Sequence, residues 1–371
     1  MIQKALINGT ICTPEALVNG QALLIENNKI AAITDPGSLA GDIELINCGD
    51  CYIAPGLIDL QIYGGGGSLF SDKLSAEALK SMTKALVKSG TTRFLVTLAT
   101  NSIEVFREAV QVVKNNPDPS ILGIHFEGPY LNPAKRGAHI LEYIKAPDRK
   151  EIELLLNEAG GLIKMMTLAP ELADKSVIKL LTDNGVIVSA GHSNASFDKA
   201  LAGFDHGITA ATHLFNAMSA FHHRDTGLPG AVFQSSHACA SIIADGIHVD
   251  YTALSIAKKL LKERLFLITD AVEETLSGPY VHVRQKDRFT LPDGTLSGSA
   301  LTLLQAVRNC IENAEIPFLE SLRMASLYPS KVMGRPDLGR IESGSTADLV
   351  VFNKDYEVQQ VFVEGEMKDL Q

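Results

Sequence analysis

VIVSAGH (186–192) is a short apolar run, rich in β-branched residues, that ends on an imidazole. Such near-continuous hydrophobicity predicts a strand covered on both faces, as in a parallel sheet. Four runs of the same kind precede it: YIAPGLIDLQI (52–62), TTRFLVTLA (91–99), ILGIHFEG (121–128) and LIKMMTLAP (162–170). Three follow it: GITAATHLF (207–215), CASIIADG (239–246) and RLFLITDA (264–271). Amphipathic segments such as SAEALKSMTKALVKSG and DYTALSIAKKLLKE lie between them. The first of these starts at a serine that can cap a helix and stops at Gly90. Eight βα units predict a (β/α)8 TIM barrel. An open doubly wound sheet is the competing layout, but it would gather its polar groups at one switch point. Here they end the third, fifth, sixth and eighth runs, which favours closure.

The two ends of the chain read differently. Residues 1–51 form short β-rich runs, KALINGTICT, QALLIENNKIAAIT and IELINC, punctuated by NG and NN. Residues 340–371 do the same in ADLVVFNKDYEVQQVFVEGEMK. Neither end can bury a core alone. The expectation is one small β-sandwich domain from 1–51 plus 340–371, beside a catalytic barrel of residues 52–339. LTLLQAVRNCIENAEI and FLESLRMASLYPSKVMG predict helices after the last strand.

Composition removes several classes of function. The chain has 371 residues, 46% of them hydrophobic, and a mean hydropathy of +0.11, enough for a sizeable core. No apolar run is long enough to span a membrane. The N-terminus reads as a strand rather than a signal peptide, so a cytoplasmic location is expected. A net charge of −10 and no basic stripe argue against nucleic acid as a partner. Cys12, Cys48, Cys51, Cys239 and Cys310 are odd in number and scattered, which is no disulfide framework. Cys48 and Cys51 make one Cys-x-x-Cys with no second pair, as two thiols flanking a turn would.

The chemistry is concentrated at the run ends. Glu127, His192, His213 and Asp270 each close a run, and in a barrel these ends meet at one mouth. A carboxylate and two neutral imidazoles are a ligand set for a catalytic metal with an open position. The spare carboxylate, Asp270, is then a general base for a water on that metal, and later the acid that protonates a leaving amine. Zinc is the default ion, one per subunit, with iron(II) and cobalt(II) also suited to these donors. His139 is placed to donate to a developing oxyanion. His125, two residues before Glu127, shares its strand face and reads as a supporting group or a further ligand. The first run carries Asp59, Gln61 and Tyr63 where a two-metal barrel would carry His-x-His, which favours one ion. Lys164 is read as a structural strand lysine rather than a carboxylated bridge.

HFEGPYLNPAKRGAH, SAGHSNA, THLFNAM, ADGIHVD, LITDA and GTLSGSALT, in this order, resemble the N-acetylglucosamine-6-phosphate deacetylase family of the amidohydrolase superfamily. The resemblance extends from PGLIDLQ to STADLVVF. It implies Glu127, His192 and His213 as metal ligands and Asp270 as catalytic acid/base. It also implies substrate contacts from Ala138 and His139, Asn216 and Ala217, Asp245 to His248, and a closing loop at Leu296, Ser297 and Gly298. Arg224 matches an arginine that reaches the phosphate in the neighbouring subunit, so a homodimer is implied. Gln61 is similar to the single-metal members. Tyr63 departs from the pattern, and the segment between Asp270 and Leu296 is short for the family. The implied activity is deacetylation of N-acetyl-D-glucosamine 6-phosphate. The alternatives are the galactosamine epimer as substrate, a cyclic-amide hydrolase of the dihydropyrimidinase type, and a non-enzymatic sugar-phosphate sensor.

Overall fold

The computed structural model describes residues 3–39, 41–276 and 278–370. The chain divides into two compact units: Met1–Asp59, Lys84–Arg93 and Thr302–Gln371 in one, Leu60–Thr83 and Phe94–Leu301 in the other.

The second unit is built around an eight-stranded sheet whose strands follow one another in chain order. These are Leu57–Ile62, Thr91–Ala99, Ile121–Glu127, Ile163–Leu168, Ile187–Ala190, Ala210–Ala211, Cys239–Ile242 and Leu265–Leu267. Neighbouring strands are parallel wherever their register is defined. The sheet closes on itself: Asp270 N–H donates to the Gln61 carbonyl at 3.0 Å, and Tyr63 N–H donates to the Ala271 carbonyl at 3.0 Å. With helices between the strands, this is the (β/α)8 barrel expected from the eight runs, and both chain ends form separate sheets.

Local chemistry sets the helices. Ser75 accepts from Ala78 N–H and caps Ala76–Lys88, and the chain turns at Gly90 with φ of +91°. Ile103–Asn115 is capped by Ser102 and buries Phe106, Ala109, Val110 and Val113, one stripe of a 3.6-residue period. Phe106 stacks on Phe126 of the third strand, with ring centroids 4.2 Å apart. Asp148, Asp174 and Asp250 cap three further helices, Arg149–Ala159, Lys175–Asp183 and Tyr251–Leu261.

Inside the barrel the apolar filling is interrupted by a hydrogen-bonded polar layer. His125 Nε2 meets Thr167 Oγ1 at 2.8 Å, Thr167 meets Thr212 at 2.7 Å, and Thr212 meets Ser189 at 2.6 Å. All four side chains are buried, so each needs these partners to offset lost hydration.

The first unit contains a four-stranded and a six-stranded sheet. Leu6, Leu23 and Ile25 from the former and Ile11, Ile53, Leu349, Val351 and Phe362 from the latter share one core. Chain ends meet directly in the six-stranded sheet, where Tyr52–Pro55 pairs antiparallel with Leu349–Phe352. The run 52–62 is therefore two strands, Tyr52–Pro55 and Leu57–Ile62, separated at Gly56. A Cβ there would stand 2.1 Å from Thr92 Oγ1, so only glycine admits the neighbouring strand. Arg93 and Asp348 form a buried ion pair, Nε to Oδ2 2.6 Å, with 5% and 3% of their side chains exposed. Cys51 N–H donates to the Cys48 carbonyl across a turn, and burial pushes the Cys48 thiol up to about 12, leaving it unreactive. Among the described residues no helix is long and apolar enough to cross a membrane.

Candidate active site

A cavity of about 170 Å³ opens in the barrel unit, and Glu127, His139, His192, His213 and Asp270 all line it. Each reaches it from a strand end or the loop that follows. Three of them hold an unusual backbone: φ is +46° at His192, +36° at His213 and +55° at Asp270. Left-handed conformations at non-glycine residues cost about 1–3 kcal/mol each and persist only where the surroundings impose them. Here they fall two or three residues beyond the last strand residues, Ala190, Ala211 and Leu267, and all three residues line the cavity.

The heavy atoms converge tightly. Glu127 Oε1 lies 2.9 Å from His213 Nε2 and 3.4 Å from His192 Nε2, and the two imidazole nitrogens are 3.1 Å apart. The His192 tautomer follows from its other nitrogen, which lies 2.8 Å from the Lys135 carbonyl. A carbonyl only accepts, so Nδ1 carries the proton and Nε2 presents a lone pair. His213 Nδ1 is buried without a partner. A cation among these three atoms would be attracted by the carboxylate oxygen and by every imidazole lone pair turned toward it. Ligand atoms about 2.0–2.2 Å from a tetrahedral ion stand roughly 3.3 Å apart, which the observed spacing matches. The residues therefore fit a divalent metal.

Glu127, His139 and His192 also bring one ligand atom each within 4.8 Å of one another. His139 is the weaker candidate, because Thr100 N–H donates to its Nδ1 at 3.2 Å. That fixes the proton on Nε2, which donates to Glu127 Oε2 at 3.0 Å. Burial alone would raise the Glu127 carboxyl, but the His192 and His139 rings overcome it and hold it well below the usual carboxylate range.

The first strand supplies donors between the two carboxylates. Gln61 Nε2 donates to Asp270 Oδ1 at 2.7 Å and to Glu127 Oε1 at 3.0 Å. Tyr63 O–H donates to Glu127 Oε2 and accepts from Gln61 Nε2 at 3.0 Å. Burial first, then the charges of Glu127 and Asp270, push the Tyr63 phenol far up, so it stays a donor. His125 is committed elsewhere, to the Leu60 carbonyl at 3.0 Å and to Thr167. Lys164 lies outside the cavity lining, beside Gly123.

The remaining expected residues divide. Ala138, Asn216, Ala217, His248, Leu296, Ser297 and Gly298 line the cavity. Asn216 and Ala217 sit on a loop tied back by Ser193 N–H to the Ala217 carbonyl, 3.1 Å. Asp245 is turned away from the lining and binds His248 Nδ1 at 2.6 Å, fixing that ring. Arg224 is exposed on a short turn and does not line the cavity.

Several contributors carried no strand-end signal. The strands Val283–Arg284, Arg288–Thr290 and Leu296–Ser299 form an antiparallel sheet beyond Asp270. Ser299 N–H donates to the Asp270 carbonyl at 2.9 Å, and a Cβ on Gly298, at φ of +72°, would strike Val272 at 2.6 Å. Tyr63, Leu69, Val272, Tyr280 and Phe289 pack together as the wall's core. His282, which lines the cavity, places Nδ1 2.7 Å from Ser297 Oγ.

The match to the amidohydrolase family spans residues 52–368, covering every one of these groups. The chain belongs to the amidohydrolase family. As an amidohydrolase it is a metal-dependent enzyme, in keeping with its Glu-His-His cluster. It is 35% identical to the N-acetylglucosamine-6-phosphate deacetylase of Haemophilus influenzae, over 99% of this chain and 100% of that one. It is 36% identical to the N-acetylgalactosamine-6-phosphate deacetylase of Shewanella sp. strain ANA-3, over 85% and 82%. Among solved structures, the N-acetylglucosamine-6-phosphate deacetylase of Pasteurella multocida superposes with a TM-score of 0.95 at 35% identity, covering 99% and 100% of the two chains. A mutant of the Mycobacterium smegmatis deacetylase in complex with N-acetyl-D-glucosamine-6-phosphate gives 0.90 at 27%, covering 99% and 98%.

Proposed function

We propose that this amidohydrolase cleaves the acetamide of N-acetyl-D-glucosamine 6-phosphate, giving D-glucosamine 6-phosphate and acetate. The observation that carries the reading is the convergence of Glu127 Oε1, His192 Nε2 and His213 Nε2 to within 3.4 Å, with Asp270 linked to the same carboxylate through Gln61. The deacetylase relatives that match over the full chain support the substrate.

Those three atoms would hold the ion, zinc in our reading, which supplies Lewis acidity toward the acetyl oxygen and toward water. Asp270 accepts the proton of the attacking water and returns it to the sugar nitrogen, since an unprotonated amide nitrogen is a very poor leaving group. His139 Nε2–H shifts from Glu127 Oε2 to the oxyanion that develops on the acetyl carbon. Asn216, Ala217 and His248 bind the sugar phosphate from one wall, and Ala138 and the strand bearing Leu296, Ser297 and Gly298 enclose the sugar. Arg224, exposed here, reaches the neighbouring subunit's substrate phosphate in a homodimer. A cytoplasmic location belongs to the same reading.

Acetate release from N-acetylglucosamine 6-phosphate by the purified, zinc-loaded protein tests this. Release of one acetate per free amine supports it, and none sinks it. The similarity to a galactosamine-specific relative makes the epimer the second substrate to assay, by comparing kcat/KM for the two sugars.

A further inference from the structure

The two oxygens of Glu127 have different company. Oε1 faces the imidazole nitrogens of His192 and His213 and also accepts from Gln61 Nε2 at 3.0 Å. Oε2 faces only hydrogen-bond donors, the Nε2–H of His139 and the hydroxyl of Tyr63. The Tyr63 ring is itself clamped between Leu69, Val272, Tyr280 and Phe289, and its hydroxyl takes a second contact from Gln61 Nε2 at 3.0 Å. Its position is thus set by packing on one side and by hydrogen bonding on the other.

We propose that Tyr63 is a positioning residue for the metal site: by donating to Oε2 it fixes the Glu127 rotamer and leaves Oε1 as the one oxygen turned toward the ion. This rests on the reading of Glu127, His192 and His213 as ligands. A carboxylate free to rotate offers either oxygen or both, and averages its aim over several geometries. One held from behind by a charge-assisted bond presents a single atom in a single direction. Partners of this kind typically account for 10–100-fold in metal affinity.

The test is zinc affinity, measured on apoprotein by competition with a chromophoric chelator, with no substrate present. Tyr63→Phe keeps the ring in its aromatic cluster and removes only the hydroxyl. Its zinc dissociation constant should rise by about 10-fold or more. Phe289→Leu disturbs the same cluster without touching Glu127 and should bind zinc as the parent does. Equal affinity in Tyr63→Phe and the parent overturns the proposal. So does a matching loss in Phe289→Leu, because packing would then explain it. A parent that binds no divalent ion removes the ligand reading beneath it as well, which separates the two failures.

Discussion

Gln61 and Asp270 hold each other twice: the Gln61 side-chain amide donates to Asp270 Oδ1 at 2.7 Å, and the Asp270 backbone N–H donates to the Gln61 carbonyl at 3.0 Å. The backbone bond closes the barrel, and the side-chain bond aims the proposed base. Gln61→Leu keeps the volume and the backbone bond but removes the donor from both carboxylates. Losing a hydrogen bond to a charged group costs about 1.5–3 kcal/mol, so kcat/KM should fall roughly 10- to 100-fold. Steady-state kinetics read beside a melting curve would show whether the loss is local.

Asp270→Asn retains a carbonyl oxygen for Gln61 and abolishes the basic site. Turnover should drop by about 10²–10⁴ while zinc content per chain stays at the parent level. Acetate release and elemental analysis on the same preparation check both halves. Unchanged turnover would mean that some other group moves the proton.

Acid sensitivity has an identifiable source in two buried imidazoles. Burial lowers His125 and His282 from an ordinary 6.5 to about 4. Between those values the unfolded chain binds protons that the folded chain refuses, so stability is lost as pH falls from about 6.5 to about 4. A shift of this size corresponds to roughly 3 kcal/mol per ring once fully expressed. His282→Gln keeps a polar partner for Ser297 but cannot titrate. The gap between its denaturation midpoints at pH 7.5 and pH 4.5 should be visibly narrower than the parent's; an equal gap would assign the sensitivity elsewhere.

In the first unit, Asp348→Ala would take from the buried Arg93 guanidinium, 5% exposed, its closest carboxylate and leave Glu364 Oε1 at 3.3 Å as a more solvent-exposed partner. Breaking a buried pair from one side costs about 3–5 kcal/mol. The melting temperature should fall sharply. The double replacement Arg93→Met with Asp348→Leu should recover much of the loss, because it removes both charges.

Much of this was legible in the sequence. Eight apolar runs gave the barrel, and Glu127, His192, His213 and Asp270 were visible because strand ends in a parallel barrel share one mouth. What stayed hidden depends on contacts distant in sequence. The run 52–62 splits at Gly56 because Thr92 crowds that point, which no periodicity records. Tyr63 looked like a departure from a ligand pattern. Its hydroxyl gains meaning only once the third strand brings Glu127 beside it. His282 and Tyr280 lie in a segment with neither helical nor strand periodicity, and they reach the cavity through the sheet that folds back onto Asp270. The polar layer of His125, Thr167, Ser189 and Thr212 was invisible for the same reason: each residue reads as an isolated interruption until the strands align.

The left-handed backbone at His192, His213 and Asp270 sets robustness against activity. Glycine would relax all three torsions, so a lineage released from the need to turn over substrate should drift toward glycine there, gaining heat resistance as it becomes inert. In a decayed copy of this protein those three positions are where disuse should first be written.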